Sequence, residues 1–183
     1  MKHFVLLFIL GFFVACQKPK LFIDYTANVY GPFPKQERID ITHLKPKAKI
    51  LVFNFFAPGC PPCEKEVPEL RKLAGMWKNN PQIALIGIGS DLAAAAEEIA
   101  LKDAYAAVEK FKKQFPLPYP IYVADSTALK KFRLTGFPET FIFTRTKKGL
   151  RFERKFISEI TAVQITDFIE TLNRTSHRPY QAY

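Results

Sequence analysis

Cysteine is scarce in this chain of 183 residues: there are three, Cys16, Cys60 and Cys63, and only the last two form a Cys-x-x-Cys pair. A structural zinc site takes about four ligands. With no second Cys-x-x-Cys, and with His43 and His177 singly placed, that ligand set is missing, so no metal and no other cofactor is expected. Long apolar runs are missing too. The run from Phe4 to Ala15 is too short for a membrane-spanning helix, which needs about 20 residues. Acidic residues fall short of basic ones, 17 against 27, for a net charge of +10. The positive residues lie in short scattered clusters, and no helix-turn-helix, zinc-finger or RNP-like run accompanies them, which argues against a nucleic-acid partner. A solvated exterior, or attraction to an anionic lipid surface, fits that charge better. There is no internal repeat and no low-complexity segment beyond one alanine run. At 48% hydrophobic, the length suits one domain with a proper core and is short for two.

What is present begins at the N-terminus. "MKHFVLLFILGFFVAC" has a polar start with Lys2, then an apolar stretch of the length of an export-signal core. Phe13, Val14 and Ala15 directly before Cys16 resemble the lipobox of bacterial lipoproteins, where cleavage leaves the cysteine as a lipidated N-terminus; Phe13 stands where leucine is usual. The alternative is an ordinary signal peptide cut nearby. Both export the protein. The expected division is therefore a signal segment at 1–16, a tether and entry segment at 17–38, one domain at 39–175 and a flexible tail at 176–183.

Within the domain, Ile50–Phe56 is a continuous apolar run bounded by lysines and by Pro58-Gly59, the pattern of a strand buried on both faces. From Cys60 onward, Val67, Leu70, Leu73, Ala74 and Trp77 recur at helical spacing. "IALIGIG" reads as a second buried strand, and the alanine-rich stretch from Ser90 to Phe115 as one long helix or two shorter ones. "PLPYPIYVAD" predicts a third strand and "DSTALKKFRL" a short helix. "PETFIFTRTKKG" with "LRFERKFIS" predicts a hairpin. Thr161 and Gln164 have the capping-box spacing of a last helix. The order predicts an α/β fold: a central mixed sheet with helices on both faces, and the Cys-Pro-Pro-Cys where the first buried strand hands over to its helix.

That pair could clamp a metal, staple the fold or carry electrons. A staple gains by closing a long loop, and a bridge across two residues closes almost none. A cysteine at the start of a helix faces unpaired N–H groups and the positive end of the dipole; such thiolates have pKa values of roughly 3.5–7 against about 8.5 for free cysteine. Cys60 holds that place, with Pro61 and Pro62 suited to the first helical positions. Cys63 lies one turn further in and is expected to be the less exposed, so that Cys60 attacks and Cys63 resolves the mixed disulfide. Glu66, one turn beyond Cys63, is either a solvated helix carboxylate or a partly buried one that exchanges a proton with Cys63. In "TGFPETF", Pro138 heads a strand, either as a plain trans proline or in the cis form kept for tight turns.

Buried strand, Cys-x-x-Cys opening a helix, proline heading a later strand, hairpin and final helix together resemble the thioredoxin fold, and more narrowly the exported TlpA/ResA/CcmG group of thiol–disulfide oxidoreductases. The resemblance covers about Ile39 to Leu172. It implies that Cys60 and Cys63 are the redox pair and a reversible disulfide, that Glu66 is the group's acidic residue, and that Pro138 is its cis-proline beside the disulfide. It also implies a substrate-contacting surface of Gly59, Pro61, Phe137 and Glu139. "GFPETF" resembles the cytochrome c maturation branch. The resemblance further implies a membrane-anchored enzyme on the periplasmic side of the cell envelope, an exported disulfide-bearing client such as an apocytochrome c, and a membrane thiol as electron donor. Two features depart from the group: Gly59 replaces its tryptophan, and Pro-Pro separates the cysteines. A thiol peroxidase would need a Thr or Ser one turn before its cysteine, which "FFAPGC" lacks. A further alternative is a non-catalytic metal-binding or client-binding lipoprotein of the same fold; its copper-delivering form would need a wider cysteine spacing and a histidine near the following strand, and neither is evident.

Overall fold

The computed structural model describes residues 26–95 and 97–176. The expected signal segment, Cys16, most of the tether and the tail beyond 176 lie outside the described residues. The first elements are two short strands, β1 (Asn28–Tyr30) and β2 (Arg38–Asp40), paired antiparallel. They are followed by β3 (Ile50–Phe56), α1 (Pro61–Trp77), β4 (Ile83–Gly89), α2 (Leu101–Gln114), β5 (Ile121–Val123), α3 (Ser126–Lys131), β6 (Glu139–Thr146), β7 (Gly149–Ile157) and α4 (Ala162–Ser176). All seven strands join one sheet in the order β2-β1-β5-β4-β3-β6-β7.

The strands β3, β4 and β5 are parallel, and β6 and β7 form the antiparallel hairpin at one edge. At the other edge β1 meets β5 through Tyr30 and Val123. The sheet therefore begins upstream of residue 39, where the sequence placed the domain boundary. Strands of three residues carry too little pattern to read from sequence.

The central strand β3 is buried at every position, and its alternation sorts the core into two layers. Leu51, Phe53 and Phe55 face α3, in a cluster rich in phenylalanine that includes Phe132, Phe141 and Phe143. The Phe55 and Phe132 rings lie 4.9 Å apart at a tilt of 52°, a favoured geometry for aromatic pairs. Ile50, Val52 and Phe56 face the other way, onto α1, α4 and α2. Helices thus cover both faces.

Of the two expectations for the alanine run, the divided one holds, with a first segment shorter than an α-helix. Leu92–Ala95 is a single 3-10 turn, and only the second half of the stretch becomes a helix, α2. Local and tertiary bonds explain this. Asp91 Oδ1 accepts the Ala93 N–H at 2.9 Å. The buried Ser126 hydroxyl donates to the Glu97 carbonyl at 3.2 Å and accepts the Ile99 N–H at 2.9 Å. Those bonds hold the chain in an irregular path, and the helix preference of alanine is too small to break them.

Candidate active site at the Cys60–Cys63 disulfide

The site forms where β3 ends. Gly59 turns the chain with φ +70°, a conformation that glycine adopts at no steric cost and a tryptophan would resist. Cys60 is the N-cap of α1, with Pro61 and Pro62 in its first turn. Cys60 and Cys63 are joined in a disulfide with their Cα atoms 5.3 Å apart. The Cys60 Sγ accepts the Cys63 N–H at 3.3 Å, so one helix-start N–H points at the sulfur. Both cysteines are buried, at 3% and 1% exposed, and relative exposure does not separate their roles in this state. Gly59 and Pro61 are exposed beside them.

Pro138 heads β6 on the same edge of the sheet, because Glu139 pairs with Phe55. The Phe137–Pro138 bond is cis. Pro138 is buried, and Phe137 packs, half-buried, against the cluster that contains both cysteines. Glu139 takes a different place from the one the resemblance gave it. Its side chain is fully buried. It accepts from the Thr135 N–H at 3.1 Å and from the Thr135 hydroxyl, and pairs with Lys155 Nζ at 2.7 Å. The carboxylate therefore closes the loop ahead of Pro138. The Lys155 ammonium also donates to the Arg133 carbonyl at 3.1 Å, which ties β7 to the same loop.

Glu66 is buried at 1% exposed, on the α1 face one turn past Cys63. Of the two alternatives for this residue, the structure shows the buried one. Asn54 Nδ2 donates to its Oε1 at 2.7 Å, and the Ile160 N–H donates to its Oε2 at 3.3 Å. Burial pushes the carboxyl up to about 8; those two donors pull the other way, and the Glu159 carboxylate adds a smaller upward push. At neutral pH, with the disulfide formed, Glu66 is therefore mostly protonated.

Three partners of Glu66 lay outside the sequence reading. Asn54 is the one polar residue in the run Ile50–Phe56, fully buried. A lone amide in a doubly buried strand must find a partner, and that interruption was the available signal. Asn54 Nδ2 also donates to the Thr140 hydroxyl at 3.1 Å, across the β3–β6 pairing. Ile160 contributes only backbone, which leaves no trace in sequence. Tyr119 stands over Gly87 of β4, the strand neighbour of Asn54, with its ring 3.1 Å from where a Gly87 Cβ would be. Its buried hydroxyl has no hydrogen-bond partner among the described residues, and its pKa is raised well above 10, by burial first and then by the Glu66 charge.

The arrangement places a disulfide at a helix start, Pro138 at the head of β6 on the same edge of the sheet, and a largely protonated carboxyl one turn from Cys63. Among the described residues no cluster of histidine, cysteine and carboxylate offers a metal site, and no helix is long and apolar enough to cross a membrane.

Comparison with known proteins bears on the same assembly. A family model described as the AhpC/TSA family matches residues 23–148. The thiol–disulfide oxidoreductase ResA of Bacillus cereus is 26% identical over 137 residues, covering 74% of this chain and 69% of that protein. StoA from Bacillus subtilis superposes with a TM-score of 0.57 at 22% identity, over 79% of this chain and 97% of that structure. A thioredoxin-related protein from Neisseria meningitidis gives 0.58 at 23% identity, over 80% and 98%. The fold is thioredoxin-like.

Proposed function

From the premise that the chain belongs to the AhpC/TSA family and is a thiol–disulfide oxidoreductase of the TlpA/ResA/CcmG group, we propose that it is an exported enzyme, anchored to the membrane through lipidated Cys16, that reduces disulfides in exported client proteins. The cytochrome c maturation branch, with an apocytochrome c as client, is the narrower reading. The observation that carries the catalytic part is the buried Glu66, whose proton affinity is set near that of a thiol.

In this reading a donor thiolate, supplied by a membrane thiol carrier, first opens the disulfide. It attacks Cys60 Sγ, Cys63 leaves as a thiolate, and Glu66 hands that thiolate its proton. A second donor thiol then frees Cys60, and the donor pair leaves oxidised. In the client half-reaction the Cys60 thiolate attacks the client disulfide and forms a mixed disulfide while one client sulfur leaves. Glu66, now ionised, takes the proton of Cys63. The Cys63 thiolate attacks Cys60 Sγ, releases the second client sulfur and restores the disulfide. Two electrons pass to the client. The half-buried Phe137 beside the buried Pro138, together with the exposed Gly59 and Pro61, forms the surface on which the client chain rests.

Disulfide reduction assays with the purified protein test this directly. Cys60→Ser is expected to abolish turnover, and Cys63→Ser to accumulate mixed disulfides that survive non-reducing electrophoresis. Retained reductase activity in Cys60→Ser would overturn the assignment of the attacking sulfur.

A further inference from the structure

At the opposite end of the parallel strands from the disulfide, the structure holds an open cleft of about 510 Å³. That volume lies within the range of small-molecule sites, roughly 300–1,000 Å³. Its base is apolar: buried Leu85 and half-buried Ile83 of β4. The Trp77 and Tyr119 rings line it, and both pack partly buried against the core cluster around Leu85. Three lysines, Lys45, Lys47 and Lys78, complete the lining with their exposed side chains, and no Asp or Glu lines the cleft.

The lip that carries Lys45 and Lys47 is built in advance. Arg145 of β6 donates to three carbonyls of that loop: Thr42 at 2.7 Å, Leu44 at 2.8 Å and Ala48 at 3.1 Å. The Ala48 N–H closes the turn on the Lys45 carbonyl at 2.9 Å. An apolar hollow ringed by cations on a fixed loop favours an occupant with an apolar body and a negative end. A cationic amphiphile of equal apolar size meets three like charges.

We propose that this cleft binds a small amphipathic anion, an apolar chain or ring carrying a carboxylate, sulfonate or phosphate at one end. The cleft contains neither cysteine nor Glu66, and Tyr119 is the residue it shares with the surroundings of Glu66. Trp77 is the one tryptophan of the chain, so its fluorescence reports on this cleft alone.

Titration of the full chain with dodecanoate, followed by Trp77 emission and by calorimetry, is expected to saturate at one site. Dodecylammonium, with the same chain and the opposite charge, is expected to leave both signals unchanged. Combined Lys45→Ala, Lys47→Ala and Lys78→Ala should weaken dodecanoate binding about tenfold, the scale on which three exposed charges act together. Disulfide reductase activity of that variant is expected to be unchanged. If the triple variant fails to fold, the single variants are titrated instead, and each is expected to weaken binding. No saturable binding of dodecanoate, equal binding of the two amphiphiles, or unchanged affinity in the folded lysine variants would each overturn the proposal.

Discussion

Glu66 joins chemistry and stability in one residue. Its carboxyl rises from 4.5 in the unfolded chain to about 8 in the folded protein. Between those values the folded state keeps a proton that the unfolded state has lost. The contribution is thus fully present below pH 4.5 and is lost as pH rises through 8, with a slope approaching about 1.4 kcal/mol per pH unit. Glu66→Gln removes the titration while keeping a side chain that can accept from Asn54. Its amide nitrogen would meet the Ile160 N–H, donor against donor, at a cost of about 1 kcal/mol. Denaturant midpoints taken from pH 5 to pH 8 are expected to fall for the wild-type protein and to stay nearly level for the variant. Turnover should fall in Glu66→Gln at every pH, because the proton store beside Cys63 is gone. Parallel stability profiles for the two proteins would show that Glu66 does not titrate in this window. The sequence placed Glu66 on the right face of the helix and left its burial open. What decides burial is Asn54 and the backbone of residue 160, and the second of these no side-chain pattern encodes.

At the scale of elements, the contact between α2 and β4 rests on an absent side chain. Gly89, at the end of β4, pairs with Phe56 of β3. A Cβ there would overlap Val108 Cγ2 of α2 and stand 2.9 Å from Phe56 Cζ. Phe56 in turn packs on Phe111 of α2 with centroids 4.6 Å apart at a tilt of 38°. Gly89→Ala must push α2 off the sheet or turn Phe56 out of its rotamer, and overpacking of this kind costs about 1–3 kcal/mol. Chemical denaturation is expected to show that loss, and adding Val108→Ala should recover part of it by removing the clashing methyl. A Gly89→Ala protein as stable as wild type would mean that the helix is loosely docked. The glycines of "IALIGIG" could be read only as a strand of unusual composition; which glycine faces a helix depends on register, fixed here by pairing with β3. The long elements β3, α1, β4, the hairpin and α4 were legible because each repeats its period several times. The alanine run left one long helix or two shorter ones open, and the buried Ser126 hydroxyl, bonded to the backbone at Glu97 and Ile99, marks the break between the two segments.

The whole molecule closes around strands the sequence hardly announced. β1 and β2 extend the sheet past β5, and they bring Ala27, Val29 and Ile41 into the core at no more than 2% exposure. The Phe33 N–H donates to the Ile121 carbonyl at 2.7 Å, and Ile41 N–H to the Ala27 carbonyl at 2.9 Å, so this edge is held by backbone bonds as well as by burial. Tyr105 of α2 donates its hydroxyl to the Lys35 carbonyl at 2.9 Å, which fastens the segment between the two strands to the helix that packs behind the disulfide. The family match begins at residue 23, upstream of both strands. A chain beginning at Ile39 would lose Val29 and Ala27 from the core and leave β5 as an open edge, a loss of at least about 2 kcal/mol from the valine and its neighbours. Such a chain is expected to unfold at lower denaturant than one beginning at residue 23, and to expose the Ile121–Val123 amides to hydrogen exchange. Equal stability of the two would mean that β1 and β2 decorate the fold. The lower value would place the edge strands β1 and β2 inside the folding unit.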